Sequence, residues 1–153
     1  MRFGWFRRRP IPRDVGDRPG VTDGMRMVDP ALVRVEATAD AVGLRIYLGD
    51  ELLVRVTPPP GTMLLDAALA RDDDGREELV GALYDLGLQR GAVVRWPVTR
   101  DPRAVAPATP LLDGEAGSVF WRFSRVDGAW HVRDARHHVT HRLDARERAS
   151  TPA

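Results

Sequence analysis

The sequence predicts an α+β fold: a single domain of mostly antiparallel sheet, with an N-terminal three-stranded meander, a C-terminal Trp-rich hairpin and one or two short helices. Three observations predict it. Apolar and polar residues alternate with period two between Val33 and Val56, as half-buried strands do. Asp127-Gly128 sits between two further alternating runs, the strongest short-range signal for a hairpin. Between these segments, leucines recur at helical spacing behind a capping pair.

Residues 1–29 read as a flexible arm rich in Pro, Gly and Arg. Pro10, Pro12 and Pro19 alternate with Gly16, Gly20 and Gly24, and no apolar period survives. The domain then spans 30–141. Its first strand carries Val33, Val35 and Ala37, its second Val42, Leu44, Ile46 and Leu48, and its third Leu52, Val54 and Val56. A three-residue turn from Gly49 to Glu51 pairs Leu48 with Leu52 and Ile46 with Val54, which keeps apolar residues on one face. This register sets Arg45 opposite Arg55, with Glu36 on the neighbouring strand placed to relieve the repulsion.

Pro58, Pro59 and Pro60 end that ladder, because proline has no N–H to donate. Thr62 is expected to cap a short helix through Ala70. Asp74 and Glu77 have capping-box spacing ahead of a second helix, with Leu79, Val80, Leu83 and Leu86 as its stripe and Gly87 as its stop. Ala92 to Val98 reads as a strand with Val94, Trp96 and Val98 inward, and Pro97 suggests an edge position. Residues 99–117 form a long Pro/Gly loop whose PxxP spacing is common by chance in such loops.

The Asp127-Gly128 turn pairs Val126 with Ala129, Arg125 with Trp130, Phe123 with Val132, and Trp121 with Asp134. One face then collects Val119, Trp121, Phe123, Trp130 and Val132 as core. The other collects Phe120, Arg122, Ser124, His131 and Arg133. Residues 142–153 read as a flexible tail. The wording of the hairpin, an aromatic strand, then VDGAW, then a basic strand, resembles the closing strands of the cone-shaped nuclear-transport-factor-2-like domains. The resemblance is confined to the hairpin. The front of the chain lacks that family's long N-terminal helices, so membership is not expected.

The 153 residues include no Cys, no Lys and no Asn. Without Cys there is no disulfide, thiolate nucleophile, iron–sulfur cluster or Cys-type zinc site. Without Lys there is no P-loop lysine, kinase lysine or Schiff base. No glycines fall at GxGxxG spacing, and Ser118, Ser124 and Ser150 never sit in GxSxG. All 23 basic residues are Arg, and Ile occurs only at 11 and 46. A GC-rich coding sequence produces that bias, so the arginine count is not evidence of nucleic-acid binding. Net charge is +1 overall, but it divides as +4 over 1–35, −7 over 36–89 and +4 over 90–153.

Several clusters invite chemistry. Asp72, Asp73 and Asp74 fail the calcium-loop template, since the next alternate position is Arg76 and the required Gly is Glu77. On a helix, His137 and His141 would share a face at zinc-ligand spacing, with Asp134 nearby. However, HHVTH puts His138 where the general-base Glu would stand. No metal and no cofactor are therefore expected. Arg7, Arg8 and Arg9 are followed by Pro10, Ile11 and Pro12 rather than by an apolar segment, so no signal peptide is expected. No membrane span is expected either, and the expected compartment is the cytoplasm.

The resulting expectation is a non-enzymatic binding or regulatory module acting through protein–protein contacts, self-association included. Its partner-binding residues are Arg122, Arg133 and His131 on the hairpin, and Trp5, Arg7, Arg8 and Arg9 on the arm. Segment 66–85 would present an opposed acidic surface. One alternative is a small-molecule-binding or weakly catalytic pocket lined by Trp96, Trp121 and Trp130 with a His. A second is nucleic-acid binding through the Arg-rich arms.

Overall fold

A computed structural model describes residues 25–40, 42–112, 121–134 and 139–144, with the side chain of Val139 outside the description. Strands hold 61% of the described residues and helical turns 3%, and there is no α-helix among them. The α+β expectation therefore gives way to a nearly all-β architecture. The eleven strands among the described residues are β1 (Arg26–Met27), β2 (Val33–Ala37), β3 (Leu44–Leu48), β4 (Glu51–Val56), β5 (Thr62–Arg71), β6 (Glu77–Asp85), β7 (Arg90–Pro97), β8 (Thr109–Leu112), β9 (Trp121–Val126), β10 (Ala129–Asp134) and β11 (Val139–Arg142). They form three antiparallel sheets, ordered β2-β3-β4, β1-β5-β6-β7-β8 and β11-β10-β9, curled into a half-barrel.

Both segments expected to be helical are strands of the central sheet. β5 and β6 are rich in Ala, Leu and Glu, which favour helices when packing does not decide. Here packing decides. Ala67 to Ala70 and Leu79 to Tyr84 are buried without interruption, because the pleat sends successive residues into two different cores. Ala68, Ala70, Val80, Ala82 and Val93 join Met25, Met27, Trp121, Val132 and Leu143 on one face. Ala67, Leu69, Leu79, Leu83, Val94 and Trp96 join Ile46, Leu53, Val54 and Val56 on the other. A contiguous apolar run of this kind carries no period, and spacing alone cannot tell it from a buried helix.

The acidic stretch after β5 is a hairpin turn, not a helix start. Asp72 N–H donates to Arg76 C=O at 3.0 Å. The Asp72 carboxylate accepts from the N–H groups of Asp74 (3.0 Å) and Arg76 (2.8 Å). Gly75 adopts a φ of 85°, the left-handed residue that a three-residue hairpin loop requires. At the next turn, Asp85 accepts from Gly87 N–H (2.8 Å) and Leu88 N–H (3.0 Å). Gly87 therefore belongs to a turn rather than to a helix stop.

The meander forms as expected, with a different turn. Leu48 pairs with Glu51 across a two-residue loop, and a register shift follows: Tyr47 pairs with Leu52 and Ile46 with Val54. Leu53 is the extra residue. The bulge restores the apolar facing that a two-residue loop would otherwise lose. Arg45 does face Arg55, and Glu36 does lie beside Arg45, although the Glu36 carboxylate pairs with Arg34.

β7 is flanked by β6 and β8, so it is not an edge. Pro97 is tolerated because it pairs with Glu78 at the strand end, beyond the reach of β8. Part of the expected long loop is β8 itself, the outer strand of this sheet among the described residues, a position that tolerates Pro110.

The hairpin matches its expected register at every described pair, with Asp127 at φ 49° and Gly128 at φ 78°. β11 adds a third strand to it. Of the HHVTH motif, His137 and His138 lie outside the described residues; His141 lies on a strand and is buried against Trp121 with ring centroids 5.8 Å apart. Met25 and Met27, within the segment assigned to the arm, and Leu143, within the segment assigned to the tail, are all core residues.

Two carboxylates hold the C-terminal sheet to the central one. Asp66 accepts from Phe123 N–H at 3.0 Å. Asp144 accepts from Met27 N–H at 2.5 Å and from Trp130 N–H at 2.6 Å, joining β1 to β10. Truncation by Asp144→Ala leaves both donors without an acceptor. It should lower unfolding free energy by about 2–4 kcal/mol in chemical denaturation. On the opposite face, a Cβ on Gly81 would lie 2.4 Å from the Trp96 ring. Trp96 is 2% exposed and its ring would have to shift to admit the methyl, so Gly81→Ala should cost about 1–3 kcal/mol by overpacking.

Candidate functional site

The outer face of β9–β11 is built by strand alternation. Arg122 lies opposite Arg133, and Arg133 opposite Thr140. Ser124 lies opposite His131, and His131 opposite Arg142. These two cross-strand rows hold three guanidiniums, one imidazole and two hydroxyls, with no carboxylate. Arg122 and Arg133 are exposed, and neither forms an ion pair with another described residue. One Arg122 nitrogen, Nη1, donates to Leu65 C=O at 3.3 Å, anchoring the side chain while its remaining donors stay available. His131 Nδ1 lies 3.1 Å from Ala129 C=O. A carbonyl only accepts, so Nδ1 is the donor of this bond.

Around the turn end of the hairpin, this face continues into a cleft of about 190 Å³. Arg26, Arg125, Arg142, Trp130 and Asp144 are among its walls. Asp144 spends its oxygens on Met27 and Trp130, and Arg142 Nε donates to Asp144 C=O at 3.0 Å. Arg122, Arg133 and His131, expected from the sequence, share this face; Arg26, Arg125 and Arg142, not expected, border the cleft. Arg142 was recoverable from the period-two alternation of VTHR. Arg26 was not, because its place depends on a two-residue strand. Trp5, Arg7, Arg8 and Arg9 lie outside the described residues.

The acidic segment is largely neutralised from within. Glu77 pairs with Arg71 at 2.8 Å and with Arg100, which also binds Glu51. Glu78 pairs with Arg95 and Asp72 with Arg76, both at 3.4 Å. Asp66 and Asp85 accept backbone N–H groups.

The three tryptophans expected to line one pocket separate onto opposite faces of the central sheet. Trp96 lies in one core, and Trp121 and Trp130 belong to the other. A groove of about 380 Å³ does open over Trp96, walled by Pro58, Pro59, Pro60 and Pro107, and it holds no titratable group. Among the described residues, no group of three His, Asp or Glu is placed to hold a metal ion. No helix among them is long and apolar enough to cross a membrane.

The chain matches no protein-family model, no curated protein and no solved structure.

The Arg71 hydrogen bond, and after it Arg100, hold the Glu77 carboxyl below its ordinary value of 4.5. A depressed folded-state value stabilises the fold above the unfolded-state value, and this stability is lost as pH falls through the folded one. The denaturation midpoint should therefore drop as pH is lowered below 4.5. Glu77→Gln should be less stable near neutrality and show a flatter acid limb in the same titration.

Proposed function

We propose that this protein is a non-enzymatic binding module that seats an acidic protein partner on the outer face of its C-terminal sheet. One observation carries the reading. Arg71, Arg76, Arg95 and Arg100 are each spent on a carboxylate of the same chain. Arg122 and Arg133 face each other in the open with no carboxylate in either cross-strand row. Two like charges opposed on a sheet cost stability, and an anionic partner removes that cost on binding. Thr140 adds a hydroxyl to the row of Arg122 and Arg133, whereas the Ser124 Oγ is buried. The cleft beside them adds the guanidiniums of Arg26 and Arg125, with the Trp130 ring as an apolar wall. Planar guanidinium donors suit bidentate capture of Asp and Glu side chains.

The probe is a polyglutamate peptide, titrated into the full chain and followed by tryptophan fluorescence. Binding should weaken steeply with added salt. Arg122→Glu combined with Arg133→Glu should weaken it by about tenfold or more, with an unchanged circular dichroism spectrum. Equal binding by the double variant, or tighter binding of an RNA oligomer at the same salt, would contradict the proposal.

A further inference from the structure

A different surface, at the far side of the molecule, is complementary to itself. β2 is an outer strand of its sheet, paired on one side with β3 and on the other with no described residue. Thr38 N–H donates to Gly43 C=O at 2.9 Å, which phases the ladder. Glu36 and Arg34 turn their N–H groups toward β3, and Val33, Val35 and Ala37 turn theirs to the open edge. Val33 N–H is already taken by Pro30 C=O, so Val35 and Ala37 remain as outward donors. The edge is also apolar where it should be covered. Val35 is 43% exposed and Leu32 57%, although Ile46, the β3 partner of Val35, is fully buried.

The order of residues in β2 is Val33, Arg34, Val35, Glu36, Ala37. Two copies laid antiparallel about Val35 bring Val35 opposite Val35 as a hydrogen-bonded pair. Arg34 of each copy then lies opposite Glu36 of the other, and Val33 opposite Ala37. Sliding the pair to centre on Arg34 opposes two guanidiniums, and sliding it to centre on Glu36 opposes two carboxylates. Of these three registers, the one about Val35 satisfies both charge and hydrogen bonding. The charged side chains are already held for it: Arg34 pairs with Glu36 in its own strand and stacks over the Tyr47 ring, 4.4 Å from the centroid. This preorganisation lowers the entropy lost on pairing.

We infer that the chain forms a symmetric dimer by antiparallel β2-to-β2 addition about Val35, joining two N-terminal sheets into one. The dimer uses the sheet remote from the cationic face and stands independently of the partner reading.

Sedimentation equilibrium of the full chain tests it. The wild type should show a reversible monomer–dimer equilibrium at micromolar concentrations. Arg34→Glu alone and Glu36→Arg alone each oppose like charges twice across the two-fold axis. Each should raise the dimer dissociation constant about tenfold, and the exchange Arg34→Glu with Glu36→Arg should restore it. The Arg122→Glu and Arg133→Glu variant should dimerise as the wild type does, so the two proposals fail separately. A wild type that stays monomeric up to millimolar concentration, as it would if residues 1–24 covered β2, overturns the inference. A dimer indifferent to the single reversals, or unrescued by the exchange, also overturns it.

Discussion

The structure depends on burying β5, β6 and β7 on both faces. A sheet with one wet face needs one cover, whereas this one needs two, and the chain on either side of it supplies them. β2–β4 precede it and close one face. β9–β11 follow it and close the other. The residue types fit the geometry. The central strands are dense in Ala and Gly, at Ala67, Ala68, Ala70, Gly81, Ala82 and Ala92, which lets flanking layers approach closely. The bulk that fills the two cores then comes from Trp96 on one side and Trp121 on the other. Gly81 is the extreme case, its missing Cβ being the space that the Trp96 ring occupies.

Layers joined only by apolar contact could slide, and polar contacts at the joins limit that freedom. Bulges supply some of them, since the extra residue of a bulge leaves backbone groups outside the ladder. Leu53, extra in β4, accepts from Thr99 and Arg100 N–H. Leu65, extra in β5, accepts from Arg122. Carboxylates supply the rest: Asp66 and Asp144 cap strand N–H groups between sheets, and Asp72 and Asp85 cap them within turns. The negative middle of the sequence thus serves mainly as internal hydrogen-bond acceptors and ion pairs. On the positive C-terminal sheet Arg122 gives one donor to Leu65 C=O, but neither Arg122 nor Arg133 pairs with a carboxylate among the described residues, and this asymmetry supports the binding proposal.

Legibility in the sequence followed local rules. The meander and β7 are readable from alternation alone, and the Asp127-Gly128 hairpin from alternation and turn chemistry together. At β5 and β6 burial on both faces erased the alternation, and the helical spacing of Leu79 and Leu83 was its by-product. Asp74-Gly75 carried the same dipeptide signal as Asp127-Gly128 and marked the true turn. It went unread because Asp74 and Glu77 also satisfied a capping box. The Leu53 bulge left no signature, so the meander turn was placed one residue too long. For the site, the opposition of Arg122 and Arg133 followed from one turn. The gathering of Arg26, Arg125 and Arg142 depends on tertiary docking that no local pattern encodes.

Amide hydrogen exchange in the intact protein tests the two-sided burial most directly. The account predicts slowest exchange for Ala67 to Ala70, Leu79 to Tyr84 and Ala92 to Val94, in adjacent residues alike, because neither face of these strands meets water. Rapid exchange across β5 and β6 while the meander and hairpin stay protected would contradict it, since the central sheet would then not be what the other two are built upon.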